Sequence, residues 1–177
     1  GGGAPASPAA SGTGPGASAA DSSSAAPATE RQAATSVAAK LSQSVSDRAA
    51  IGGAALDVGD CGPNLNADPK VFGAAASSRT ALLAGLAALP GRAALPSALV
   101  SDLTKAWQAS VAADQAYAQW ANDEIAKTCV ANDAGDPGYR ATVTPNANAT
   151  RYKTAFAAEW NPIAARYGLK QYQASEL

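Results

Sequence analysis

Residues 107–120 read WQASVAADQAYAQW, and the spacing of their large and polar side chains decides the fold. Trp107, Ser110, Asp114 and Tyr117 stand 3, 4 and 3 positions apart, so all four share one face of a helix and would be scattered over both faces of a strand. That face is mixed. Two rings that need burial flank a hydroxyl and a carboxylate, so it is either a packing seam with polar insertions or a site with aromatic walls.

The same period runs outward from this stretch. A third helix is expected from Ser97, after Pro96, to about Ala131, with Leu99, Leu103, Trp107, Ser110, Asp114, Tyr117 and Ile125 on its stripe. Before it, Val37, Leu41, Val45, Ile51 and Ala55 mark a first helix starting at Glu30 with Thr29 as N-cap, its last turns weakened by Gly52-Gly53. Asp68-Pro69 reads as the N-cap and first turn of a second helix, with Phe72, Ala75, Arg79, Leu82 and Leu86 inward and a stop at Pro90-Gly91. A fourth follows Thr144-Pro145, with Tyr152, Phe156, Trp160, Ile163 and Tyr167 on one face. No stretch alternates as a strand does. Abundant Ala favours helix, and short connections between amphipathic helices predict an all-α, up-down four-helix bundle.

Cys61 follows the first helix and Cys129 ends the third. In an up-down bundle those helices run the same way, so the two thiols meet at one end. A disulfide is expected, closing a loop of about 70 residues and stabilising by roughly 4 kcal/mol through the unfolded chain. It implies an oxidising compartment, either extracellular or in the cell envelope.

Ahead of the bundle, residues 1–29 are Gly, Ala, Ser and Pro with a few Thr and one charge, Asp21. Such a segment has too little apolar surface to offset its ordering entropy, and it reads as a disordered linker spanning roughly 30 Å. The expected domains are therefore a linker at 1–29 and a helical body at 30–177. The chain begins at Gly1 rather than Met, so any signal or anchor is expected upstream.

Composition excludes several functions. Thirteen basic residues against fourteen acidic ones leave a net charge of −1, which does not suit nucleic acid or an anionic membrane as main partner. The longest apolar run, around Ala81–Leu89, is short and broken by glycine, so no membrane span is expected. The chain has no His, which removes the commonest general base and the commonest transition-metal ligand. No phosphate loop, nucleophile elbow or CxxC is present, and no cofactor is expected.

The segments Ser78-Arg79-Thr80, Ala106-Trp107-Gln108-Ala109-Ser110, Ala113-Asp114, Tyr117, Trp120-Ala121, Cys129, Trp160-Asn161-Pro162-Ile163-Ala164 and Tyr167-Gly168-Leu169 resemble a family of exported helical-domain proteins of actinomycetes. The resemblance covers roughly residues 37–177. It implies a signal or membrane anchor, a low-complexity linker and a two-cysteine helical bundle, and it implies no particular chemistry.

The candidate site residues are few. Asp114 sits on an inward stripe, where a carboxylate needs a cation, and Arg79 and Arg48 fall on the inward stripes of neighbouring helices. The expected reading is a structural ion pair of Asp114 with one of these arginines. The alternative is a ligand pocket of Trp107, Asp114 and Tyr117. In WNPIAARYGL, Pro162 lies inside the fourth helix and removes a bond to Ala158. Asn161 is placed to satisfy the freed backbone, and Trp160 and Tyr167 would pack on the bundle or line an aromatic groove. In NDAGDPG, Asp133 and Asp136 are placed to touch a calcium ion, but the EF-hand order and its closing Glu are missing, so no metal is expected.

Two classes of function follow. The first is a non-catalytic exported domain that meets an envelope protein, the cell wall or copies of itself, with a self-assembling surface subunit as a sub-case. The second is an enzyme using Asp114 with a Tyr or Ser. The absent His, the near-neutral charge and the linker favour the first.

Overall fold

The computed structural model describes the backbone of residues 15–177 and the side chains from Thr29 onward. Over that span the chain is all-helical: α1 (Pro15–Gly59), α2 (Asp68–Ala87), α3 (Ser97–Ala126), the single turn α4 (Pro137–Arg140) and α5 (Val143–Tyr167). Short 3-10 turns lie at Arg92–Ala94 and Ala174–Glu176. The part of the expected linker at residues 1–14 lies outside the described residues.

Several boundaries differ from expectation. Helix α1 starts at Pro15, so Thr29 lies inside it and is not its N-cap. Asp68 is the first helical residue of α2, after Ala67, and caps nothing; its carboxyl is buried beside Asp57. Helix α3 stops at Ala126, with Lys127 already extended. Glu124 Oε1 accepts from Val130 N at 2.9 Å, and this bond turns the chain back toward the disulfide.

Cys61 and Cys129 are joined, with Cα atoms 5.9 Å apart and 68 positions between them. The junction is tight. Cys61 adopts φ 49°, and Asn132 N donates to Gly59 O at 2.8 Å, so the segment after α3 is sewn to the end of α1.

The apolar core falls into two bodies. One joins Val37 and Leu41 of α1, Leu82 and Leu86 of α2, Leu99, Leu103 and Trp107 of α3, and Phe156, Trp160 and Ile163 of α5, with Tyr172 and Leu177 closing its end. The other joins Ile51, Ala54 and Val58 of α1, Phe72 and Ala75 of α2, and Trp120 and Ala121 of α3, with Tyr117 and Tyr139 against it. Each buried Leu, Val, Ile or Phe contributes about 1.5–3 kcal/mol by leaving water. Helix α3 touches both bodies, and the buried residues between its two core segments are Ser110, Ala113 and Asp114.

Two glycines permit this packing. Gly91 follows α2 at φ 74°, and a Cβ there would meet the Thr29 methyl at 2.9 Å, so both the turn and its seat on α1 require glycine. Gly138 opens α4, where a Cβ would lie 2.5 Å from Trp120 N. Its absence lets α4 press on α3 and set Tyr139 edge-on to Trp120, ring centres 4.9 Å apart.

Candidate functional site

Between the two apolar bodies lies a set of buried polar side chains among small alanines: Ser44 and Asp47 from α1, Arg79 from α2, Ser110 and Asp114 from α3, and Lys153 from α5. A polar layer therefore crosses the molecule, with contributions from every long helix. Most of it is internally satisfied, as buried polar groups must be. Arg79 Nη1 donates to Asp114 Oδ2 at 2.9 Å, both side chains within a few per cent of complete burial. Asp47 accepts from Ser78 Oγ at 2.7 Å and from Gln43 Nε2 at 3.0 Å. Trp107 Nε1 donates to Ser44 Oγ at 3.1 Å.

On one side the layer opens. A cleft of about 530 Å³ runs between α1, α3, α5 and the C-terminal segment, with Ser110, Asp114 and Lys153 in its lining, Tyr117 and Ile51 as walls and Arg48 at its edge. Gln173 and Ser175 form part of its far side. A second cleft of about 520 Å³ adjoins it, lined by Leu56, Trp120, Asn132 and Tyr139. Gly52, Ala55 and Tyr117 belong to both. The Tyr117 hydroxyl accepts from Asn146 Nδ2 at 2.8 Å, which holds the ring between the two clefts.

The odd member of the layer is Lys153. It is 5% exposed, and it makes no hydrogen bond or ion pair among the described residues. Burial pushes its amine down to about 7; the positive charges of Arg79 and Arg48 push the same way, and Asp114 opposes them. Burial raises Asp114 to about 6 against the pull of Arg79 and Lys153.

The expected site residues separate on this map. Asp114 and Tyr117 line the first cleft, and Asp114 meets Arg79 directly. Arg48 is exposed at the cleft edge and forms no ion pair with Asp114, because its position on α1 faces outward. Trp107 and Trp160 are wholly buried in the first core body and offer no surface to a ligand. Tyr167 is half-buried near the other end of α5, with Arg31 over its ring and its hydroxyl donating to Glu30 Oε1. Trp160 Nε1 donates to Lys170 O at 2.9 Å, and Asn161 bonds the backbone of Tyr172 in both directions at 2.9 Å. Asn161 therefore ties down the C-terminal segment rather than the backbone freed by Pro162. The carboxylates of Asp133, Asp136 and Glu124 lie close enough to share a cation, and the ammonium of Lys127 occupies that position, 2.6 Å from Asp133.

Lys153 escaped the sequence reading because Tyr152, its neighbour, looked like the inward residue. The signal was present: Ala149, Lys153, Phe156 and Trp160 stand 4, 3 and 4 apart, and all four are buried. Tyr152 is instead half-buried, with Lys105 and Arg151 over its ring.

Comparison of the chain with protein-family models, with curated proteins and with solved structures gave no match.

Proposed function

We propose that this chain is an exported, non-catalytic domain of the cell envelope, an up-down helical bundle that holds a polar ligand or partner segment of the cell wall in its cleft. The observation that carries this reading is the polar layer opening on a cleft of about 530 Å³ beside Asp114 and Lys153. A layer serving only to fix helix register gains nothing by leaving the amine of a buried lysine outside its hydrogen bonds and ion pairs. Export is supported by the Cys61–Cys129 bridge, since such bonds persist outside reducing compartments. The actinomycete resemblance agrees with a tethered surface module. Binding without turnover is supported by the chemistry of the cleft: its carboxylate is committed to Arg79.

Gly52 supplies the test. It lines both clefts, is exposed, and has no atom within 4 Å of where a Cβ would stand. Gly52→Trp should fill the cleft mouth without disturbing the fold. Wild-type protein should sediment with isolated actinomycete cell envelopes, and the variant should stay in solution at an unchanged melting temperature. Equal sedimentation of both proteins would take the cleft out of the function.

A further inference from the structure

An amine on a buried side chain, with no hydrogen bond or ion pair among the described residues and facing a cleft that admits small molecules, has chemistry open to it beyond ion pairing. We propose that Lys153 is a nucleophilic amine, and that the cleft captures a small aldehyde or ketone bearing a carboxylate, held as an imine on Nζ. This inference rests on the cleft reading given above.

The surroundings favour it from every side. Helix α1 presents Arg48 at the edge and Asp47 within the layer, α2 presents Arg79, and α3 presents Asp114 and Tyr117. The C-terminal segment adds Gln173, Ala174 and Ser175, none of which titrates. Arg79 is engaged by Asp114, and Asp47 by Ser78 and Gln43, so neither acid forms a hydrogen bond or close ion pair with the lysine. Desolvation and neighbouring cations are the two ways in which a lysine is made nucleophilic near neutral pH. The same cations, Arg48 above all, suit a ligand with a negative charge next to its carbonyl. The reaction balances without a co-reactant. The nitrogen lone pair attacks the carbonyl carbon, the C–O bond of the resulting carbinolamine breaks, and the oxygen leaves as water with two protons that began on the amine. An amine lowered to about 7 is about half neutral at pH 7, and the neutral form makes that first step possible.

Glyoxylate with cyanoborohydride is the probe, because reduction of the imine leaves a stable carboxymethyl group that peptide mapping locates. At pH 7 Lys153 should carry about a thousandfold more free amine than an ordinary lysine, and after allowance for its burial its labelling should exceed that of exposed Lys70, Lys105 and Lys170 by at least about tenfold. The rate at Lys153 should level off above neutral pH, while theirs continues to climb. In urea the preference should vanish. Propionaldehyde, which lacks the carboxylate, should label Lys153 more slowly than glyoxylate. Labelling of Lys153 at or below the level of the surface lysines would overturn the inference. Equal rates with the two aldehydes would overturn its anionic half. If Lys153 stays unlabelled while Gly52→Trp still releases the protein from envelopes, the amine chemistry falls and the cleft stands. If Lys153 labels selectively while Gly52→Trp changes nothing, the envelope role falls instead.

Discussion

At the scale of single residues, the Arg79–Asp114 pair shows how a polar contact can be needed without being a strong net stabiliser. Burial raises Asp114 to about 6, so desolvation costs the carboxylate more than its cations return. Arg79 cannot relieve its own burial in that way, because guanidinium does not lose its proton in proteins. Asp114→Asn should therefore leave a buried, uncompensated arginine and cost about 3–5 kcal/mol in urea unfolding. Asp114→Leu combined with Arg79→Met should cost less than the sum of the two single changes. Additive losses would mean that the two residues do not act as a pair. The opening stretch, WQASVAADQAYAQW, is thus both things at once: Trp107 belongs to the seam, while Ser110, Asp114 and Tyr117 line the cleft. Spacing alone showed that these residues share a face. It could not show that the face divides, because the division depends on which helix stands opposite each turn.

At the scale of elements, the glycines make opposite predictions. Gly53 of α1 is exposed with open space around it, and as a mid-helix glycine it costs roughly 0.5–1 kcal/mol relative to alanine. Gly53→Ala should raise the melting temperature. Gly138→Ala should lower it, since a Cβ would strike the Trp120 backbone and the shift needed to make room costs about 1–3 kcal/mol. A thermal melt of each variant checks the pair, and equal effects would mean that α4 does not seat on α3 as described. The helices themselves were legible because their apolar period is long and Ala-rich. Their ends were less so. The stop of α3 at Ala126 goes with the bond from Val130 back to Glu124 and with the disulfide, and the second of these is non-local. The role of Asn161 was hidden for the same reason, since its partner Tyr172 belongs to a segment with no periodicity.

At the scale of the whole molecule, two acid groups stand beside other acid groups. Asp68 lies beside Asp57 and Glu159 beside Asp102; burial and those neighbours raise Asp68 and Glu159 to about 7 each. A carboxyl that holds its proton more tightly folded than unfolded adds stability that is complete below its unfolded value near 4 and is lost as pH rises through 7. Lys153 acts in the other direction above neutrality: its folded value near 7 lies below its ordinary 10.5, so stability returns as pH rises across that interval. Melting temperature should therefore rise from pH 7 to pH 5, and Asp68→Asn should flatten that rise, since an amide donates to Asp57 at any pH. A melting temperature that falls on acidification over this range would contradict the pairing. The disulfide acts on the same scale. Replacing both Cys61 and Cys129 by Ser should cost about 4 kcal/mol, because the bridge closes a long loop that holds all of α2 and α3. That bridge was legible in the sequence, since an up-down order of the helices would bring the two cysteines to one end. The polar layer was half legible. Arg79, Ser110 and Asp114 fell on inward stripes, Arg48 was wrongly placed inside, and Lys153 was passed over for the ring beside it.

Lys153 lies buried against the cleft and forms no hydrogen bond or ion pair among the described residues, the nearby Asp114 being engaged by Arg79. Its ε-methylene carbon, followed by NMR as pH is raised with Lys153→Gln used to assign the signal, reports its ionisation directly. A midpoint near 7 is the result the account requires. A midpoint near the ordinary lysine value of 10.5 would mean that the amine is solvated or paired, and would contradict it.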